Sequence, residues 1–216
     1  SFLDEARHVQ LDEKTIEKAK HHIVDTIAAM ISGTALDVGK RSFKALPSFE
    51  GLPEATVFGQ KKRYPAYWAA MFNAMLAHAD ETDDSHETSI THPGCGIVPT
   101  AMAMAQREKK GGMDFIRAVC AGYDVGPRLT EALGAMALNN AGTSSHAMGA
   151  VFGSGACASV LANFDSAQVR RLISYLAHES SGLGCWMAEH DHVQKAYVFG
   201  AMGAKNAITS ALLVQS

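Results

Sequence analysis

Aromatic residues make up only 7% of this 216-residue chain and charged residues 19%, with the two signs so nearly balanced that the formal charge is −3. A chain with few aromatics and no basic stripe lacks the stacking surfaces and cationic field that nucleic acid or an anionic membrane surface would require. The four cysteines, Cys95, Cys120, Cys157 and Cys185, are widely spaced and form no CxxC pair. Neither a zinc clip nor a disulfide framework is indicated, and reduced thiols in a cytoplasmic compartment fit best. The opening SFLDEARHVQ has no cationic start followed by an apolar run, and no apolar segment is long enough to cross a bilayer. The glycines of VFGSGACAS follow no strand with GxGxxG spacing, so a dinucleotide fingerprint is unsupported. No fixed-period repeat or low-complexity tract is present. These absences leave a soluble cytoplasmic protein whose partner is a small solute.

What is present is alanine, methionine and glycine within a 47% hydrophobic composition, which suits closely packed helices better than a sheet sandwich. Ile16, Ala19, Ile23, Ile27 and Ile31 recur at helical spacing ahead of Gly33. Residues 54–59, EATVFG, read as an edge strand or an extended loop. Pro65 opens a helix carrying Trp68, Phe72, Met75 and Ala79 along one side. Beyond a His92-Pro93-Gly94 turn, two more helices meet at Gly111-Gly112, and Pro127 should kink or interrupt the second. After the polar turn NNAGTSSH comes a small-residue helix. Asp165 then caps a helix with Val169, Leu172, Ile173 and Leu176 as its buried stripe, and a last helix is rich in glycine and alanine. The expectation is an all-α fold, with residues 1–216 forming one helical domain.

One stretch departs from this apolar background. HADETDDSHETSITHPG, residues 78–94, holds five acidic residues and three histidines. Its residue types allow a solvated acidic loop, a metal site using Asp83, His86 and His92, or a carboxylate and histidine array for proton transfer. The spacing matches no zincin, EF-hand or facial-triad template. For acid–base work the composition is better suited, because histidine titrates near neutrality and neighbouring carboxylates orient it. Crowding of Asp80, Glu81, Asp83 and Asp84 should raise at least one carboxyl pKa by repulsion. Elsewhere, His146 lies at the start of the small-residue helix, either facing a pocket or as a hydrogen-bonded core histidine. Lys195 is either an anion-binding cation or an ordinary surface lysine, and Cys95 beside His92 is a weak nucleophile candidate.

Taken in order, HADETDDSH with HPG, SSHAMGAVFG and HVQKAYVFGAMGAKNAITSALL resemble the MmgE/PrpD family, which includes 2-methylcitrate dehydratase, cis-aconitate decarboxylase and iminodisuccinate epimerase. The resemblance runs through essentially the whole chain. The family's usual run is HALDFDDTH; here Glu81 stands where Asp is usual, Thr82 where an aromatic is usual and Ser85 where Thr is usual. The resemblance implies that His92, His146 and Lys195, rather than Lys205, are catalytic, and that Glu81, Asp84 and Ser85 bind or position the substrate. It further implies a small di- or tricarboxylate as substrate, no metal, flavin or nicotinamide, and a homodimer. The reaction implied is epimerase-, dehydratase- or decarboxylase-type, with the altered run slightly favouring something other than methylcitrate dehydration. It also implies that residues 1–216 are the N-terminal part of the family's helical domain, with an α+β lid and further site residues beyond Ser216. A non-catalytic helical fragment or interaction module is the competing class.

Overall fold

The computed structural model describes residues 2–216. A short α1 (Phe2–Ala6) is followed by Asp12, whose carboxylate accepts from the Thr15 amide at 2.8 Å and so starts α2 (Glu13–Gly33). The stripe expected on α2 is only partly buried: Ala19 and Ile23 are covered, whereas Ile31 is 55% exposed. After α3 (Asp37–Ala45), residues 54–59 contribute β1 (Ala55–Thr56), paired antiparallel with β2 (Arg63–Tyr64). This hairpin is the one sheet among the described residues. Asn73, buried in the next helix, holds it by accepting from the Phe58 amide and donating to the Thr56 carbonyl, both at 2.9 Å.

That helix, α4 (Ala66–Ala77), is apolar around its whole circumference and buried from Ala69 to Ala77. Two further helices share the interior with it: α5 (Pro93–Arg107) and α8 (Ser145–Leu161). The second of these packs against α6 (Gly112–Leu133), α5 and α11 (Met202–Gln215). Contrary to the expected interruption, α6 stays helical through Pro127. It packs on α8, and Thr130 Oγ1 donates to the carbonyls of Gly126 and Pro127. Short α7 (Ala135–Asn140), with Gly134 at its N-cap, precedes the expected polar turn and ends on that turn's first two residues, Asn139 and Asn140. Asp165 caps α9 (Ser166–Glu179) through the amides of Ala167 and Gln168, but Ile173 is 46% exposed rather than part of the stripe. The all-α architecture is as expected.

The α6–α8 crossing explains why small residues are needed. A Cβ on Gly126 would lie 2.6 Å from the Gly149 carbonyl oxygen, and one on Gly153 would lie 3.0 Å from the Gly122 carbonyl oxygen. At Gly126 backbone meets backbone, with no flexible side chain to yield. Gly126→Ala is expected to cost about 2 kcal/mol in urea melts through overpacking; an unchanged midpoint would show that the helices can separate freely. No helix among the described residues is long and apolar enough to cross a membrane.

Candidate functional site

The acidic run leaves the buried end of α4 and doubles back to the start of α5, so its residues are not uniformly solvated. His78 closes α4 and is fully buried. Its Nδ1 lies 2.9 Å from Asp83 Oδ1, also within the protein interior. With Asp83 ionised, Nδ1 is the protonated nitrogen, because a carboxylate can only accept, and Nε2 retains its lone pair. Burial pushes the Asp83 carboxyl up to about 7 and, aided by charge on His92 and His192, pushes His78 down to about 2. A raised carboxyl was expected from crowding; its main cause is burial, with repulsion from Asp84 a smaller contribution.

His92-Pro93-Gly94 is the opening of a helix rather than a free turn. His92 occupies the N-cap position of α5 and Pro93 the first helical position, where the missing amide hydrogen costs nothing. The imidazole of His92 is thereby held against the loop, with Nδ1 3.6 Å from Asp83 Oδ2. Its ring meets His78 edge-on at 4.9 Å between centroids and stacks with His146 at 5.2 Å. His146 lies in the first turn of α8, whose N-cap is Ser144, and stacks on Phe199 at 3.8 Å. Burial, then the charges of His92 and His78, push His146 down to about 3.

Phe199 is presented by a π turn, Tyr197–Ala201, between α10 (Val193–Ala196) and α11. Such wide turns recur at functional sites because they re-aim a side chain without ending the helix. Gly200 allows the close approach: a Cβ there would sit 2.9 Å from Cys95 Sγ. Trp186 packs edge-on against Phe199 at 4.8 Å.

Lys195 lies on α10, whose amides at Gln194 and Lys195 are capped by the Glu189 carboxylate. Its Nζ stands 2.5 Å from Glu81 Oε1 and about 5 Å from the Trp186 and Phe199 ring centres. His192 approaches the same Glu81 oxygen at 3.4 Å through Nδ1 and the His78 carbonyl at 3.0 Å through Nε2. Burial pushes the Glu81 carboxyl up, but the hydrogen bond and charge of Lys195 outweigh it and leave it below its ordinary value.

The structure therefore brings His92, His146, Lys195 and Glu81 together, but places the other expected residues differently. Asp84 faces α2, α5 and α6, accepting from the Gly94 amide at 2.8 Å and Tyr123 OH at 2.7 Å, with His22 Nδ1 2.7 Å away. It anchors the start of α5 and so bears on His92 through the backbone. Ser85 is exposed. His86 is exposed too, with Nδ1 2.9 Å from Ser89 Oγ, and it does not join Asp83 and His92 as a ligand set. His78 takes that place: one ligand atom each from His78, Asp83 and His92 lie within 4.8 Å of one another. Cys95 donates to the His92 carbonyl at 3.1 Å, and burial pushes its thiol well up, against a nucleophilic role.

His78, His192, Trp186 and Phe199 were not singled out by the sequence. His78 carried a signal, as a histidine ending an otherwise apolar helix; the other three depend on how residues 184–201 fold back. Five buried polar atoms in the cluster make no hydrogen bond: His78 Nε2, Asp83 Oδ2, His92 Nδ1, His146 Nδ1 and Trp186 Nε1, of which Asp83 Oδ2 and His92 Nδ1 face each other at 3.6 Å. Buried polar atoms without a hydrogen bond are uncommon, which makes this cluster the candidate site. Two clefts, of about 610 and 680 Å³, lie elsewhere, against α1, α2 and α6. They do not open on these histidines.

A helical domain that gathers four imidazoles, a buried carboxyl and one lysine at its helix ends is the class of protein defined here. The chain belongs to the MmgE/PrpD family: the family model for the MmgE/PrpD N-terminal domain matches residues 1–216. It is 27% identical over its whole length to the cis-aconitate decarboxylase-like protein oryM of Aspergillus oryzae, of which it covers 45%. It is 31% identical to the cis-aconitate decarboxylase of Aspergillus terreus over 58% of this chain and 27% of that protein. The human cis-aconitate decarboxylase matches at 29% identity over 55% of this chain and 26% of its own length. The chain thus spans less than half the length of these relatives.

Proposed function

We propose that this chain supplies the proton-transfer and carboxylate-binding face of a cofactor-independent lyase or isomerase acting on a small di- or tricarboxylate, with decarboxylation the favoured reaction. The observation that carries this reading is the packed imidazole cluster of His78, His92 and His146 beside a single lysine. An ionised polycarboxylate, which only accepts, can take hydrogen bonds from Lys195 and from a ring N–H of His92 or His146, but not from the lone pair of His78 Nε2 or from Asp83 Oδ2. The names of the relatives favour decarboxylation over dehydration or epimerisation, and make cis-aconitate the first acid to test.

In a decarboxylation, the bond between carbon and the departing carboxylate breaks and its electron pair stays on carbon, delocalised toward a neighbouring carboxylate. Lys195 is the group to hold that developing charge, since a preorganised cation counts most where water is excluded. Carbon dioxide leaves, and His92 delivers a proton to carbon that solvent later replaces. Asp83 Oδ2, at 3.6 Å, stabilises the imidazolium form of His92. His146, with its pKa pushed down to about 3, is neutral at pH 7 and serves as a hydrogen-bonding group rather than a second cation. Asp84 positions His92 through Gly94.

The protein should be incubated with cis-aconitate in deuterated water and followed by NMR. One carbon-bound deuterium per carbon dioxide released is expected; loss of water without carbon dioxide would replace decarboxylation by dehydration. A divalent metal is the second reading, favoured by the convergence of His78, Asp83 and His92. Undiminished turnover after exhaustive chelation would discard it. A homodimer is the proposed assembly, supported by the exposure of Leu183 and Met187 on either side of Trp186 in the chain; sedimentation showing only monomer would overturn it.

A further inference from the structure

The Lys195 ammonium is already engaged by a carboxylate of this chain, and the way that carboxylate is held sets it apart from a structural ion pair. Glu81 is 42% exposed at its side chain, whereas Lys195 is 19% exposed, so the acid lies on the solvent side of the cation. Both Glu81 and His192, which touch through Glu81 Oε1, have left-handed backbone, with φ of 58° and 62°. Neither is glycine, and such conformations persist where surrounding contacts enforce them. The charge balance points the same way. Lys195 Nζ is 2.5 Å from Glu81 Oε1, closer than His192 Nδ1 at 3.4 Å, so the lysine is the cation that Glu81 neutralises. A ligand with two or three carboxylates cannot settle on Lys195 beside an ionised Glu81 without direct like-charge repulsion.

We propose that Glu81 is an internal stand-in for a substrate carboxylate: it holds Lys195 until a polycarboxylate displaces it, and so sets the affinity of the site. This rests on the reading of Lys195 as the carboxylate-binding cation. Glu81 is then a specificity-determining residue, since a ligand must offer Lys195 more than Glu81 does in order to exchange with it. Exchange also frees the Glu81 and His192 segments from the contacts that hold them left-handed.

The test is binding of tricarballylate, a saturated tricarboxylate with neither a double bond nor a hydroxyl, by calorimetry at pH 7.5. Glu81→Gln removes the charge at nearly constant shape. Glu81→Asn does so with a residue that tolerates positive φ, guarding against a folding defect in the first variant. Both are expected to tighten binding about two- to fivefold, the scale of a part-exposed ion pair. Lys195→Met is expected to weaken binding. If Lys195→Met weakens binding while both Glu81 variants bind as wild type or more weakly, the stand-in role is wrong and the lysine reading survives. If Lys195→Met binds as well as wild type, the lysine reading itself fails, and the role of Glu81 with it.

Discussion

Replacing His92 by alanine is expected to lower turnover by about 10²- to 10⁴-fold, the range for removing a positioned acid–base group. The effect should fall mainly on kcat. His92 is held by the first turn of α5 and by Asp83 rather than by the groups that hold Lys195, so its loss leaves the cation in place. Lys195→Ala should behave differently, raising KM as well as lowering kcat, because it removes charge complementarity in both the bound acid and the developing carbanion. His86→Ala provides the comparison within the same acidic run. Its imidazole bonds Ser89 and lies apart from the cluster, so activity should stay near wild type. Steady-state rates for the three variants decide the matter: wild-type turnover in His92→Ala and Lys195→Ala would refute the site.

Helical periodicity and composition were enough to read the fold class, because alanine-rich segments at three- and four-residue steps have few ways to be buried other than against one another. The errors lie where tertiary packing overrides local preference. Pro127 suggested a kink or an interruption, but α6, packed on α8, continues as helix through it. Ile31 and Ile173 fit their helical stripes and are nonetheless exposed, since a stripe shows which side of a helix is apolar and not how far its neighbour extends.

The candidate site was legible in part for the same reason. His92, His146, Lys195 and Glu81 stand in recognisable motifs, and the fold brings them together. Asp84 and Ser85 read as equal members of a positioning wall, yet successive residues of an irregular loop point in different directions. Asp84 turns to Gly94 and Tyr123, and Ser85 faces solvent. His78 and Asp83 lie in the same motif, but their pairing in the interior depends on how the end of α4 is covered, which the local sequence does not encode.

Burial of these titratable groups should make the domain acid-sensitive well above the ordinary carboxylate range. His78 and His146 are pushed down to about 2 and about 3 in the folded state, against about 6.5 unfolded. Each therefore contributes stability that is fully present above about pH 6.5 and is lost as pH falls, because the unfolded chain takes up a proton that the folded chain refuses. Asp83 acts in the opposite sense. Its folded value of about 7 lies above the unfolded carboxyl near 3.9, so between those limits acidification favours the folded state. From about pH 6.5 down to about 4, the unfolded state gains two histidine protons while the folded state gains one on Asp83. The net difference is about one proton, or about 1.4 kcal/mol per pH unit, so roughly 2–3 kcal/mol should be lost across that window. Urea melts from pH 7.5 to 4.5 measure this directly. His146→Gln removes one of the two histidine protons and should flatten the slope toward zero, even if its absolute stability is lower. Stability that rose on acidification in the wild-type chain would show that Asp83 outweighs the histidines, and that the imidazoles are not held neutral as the proposed mechanism requires.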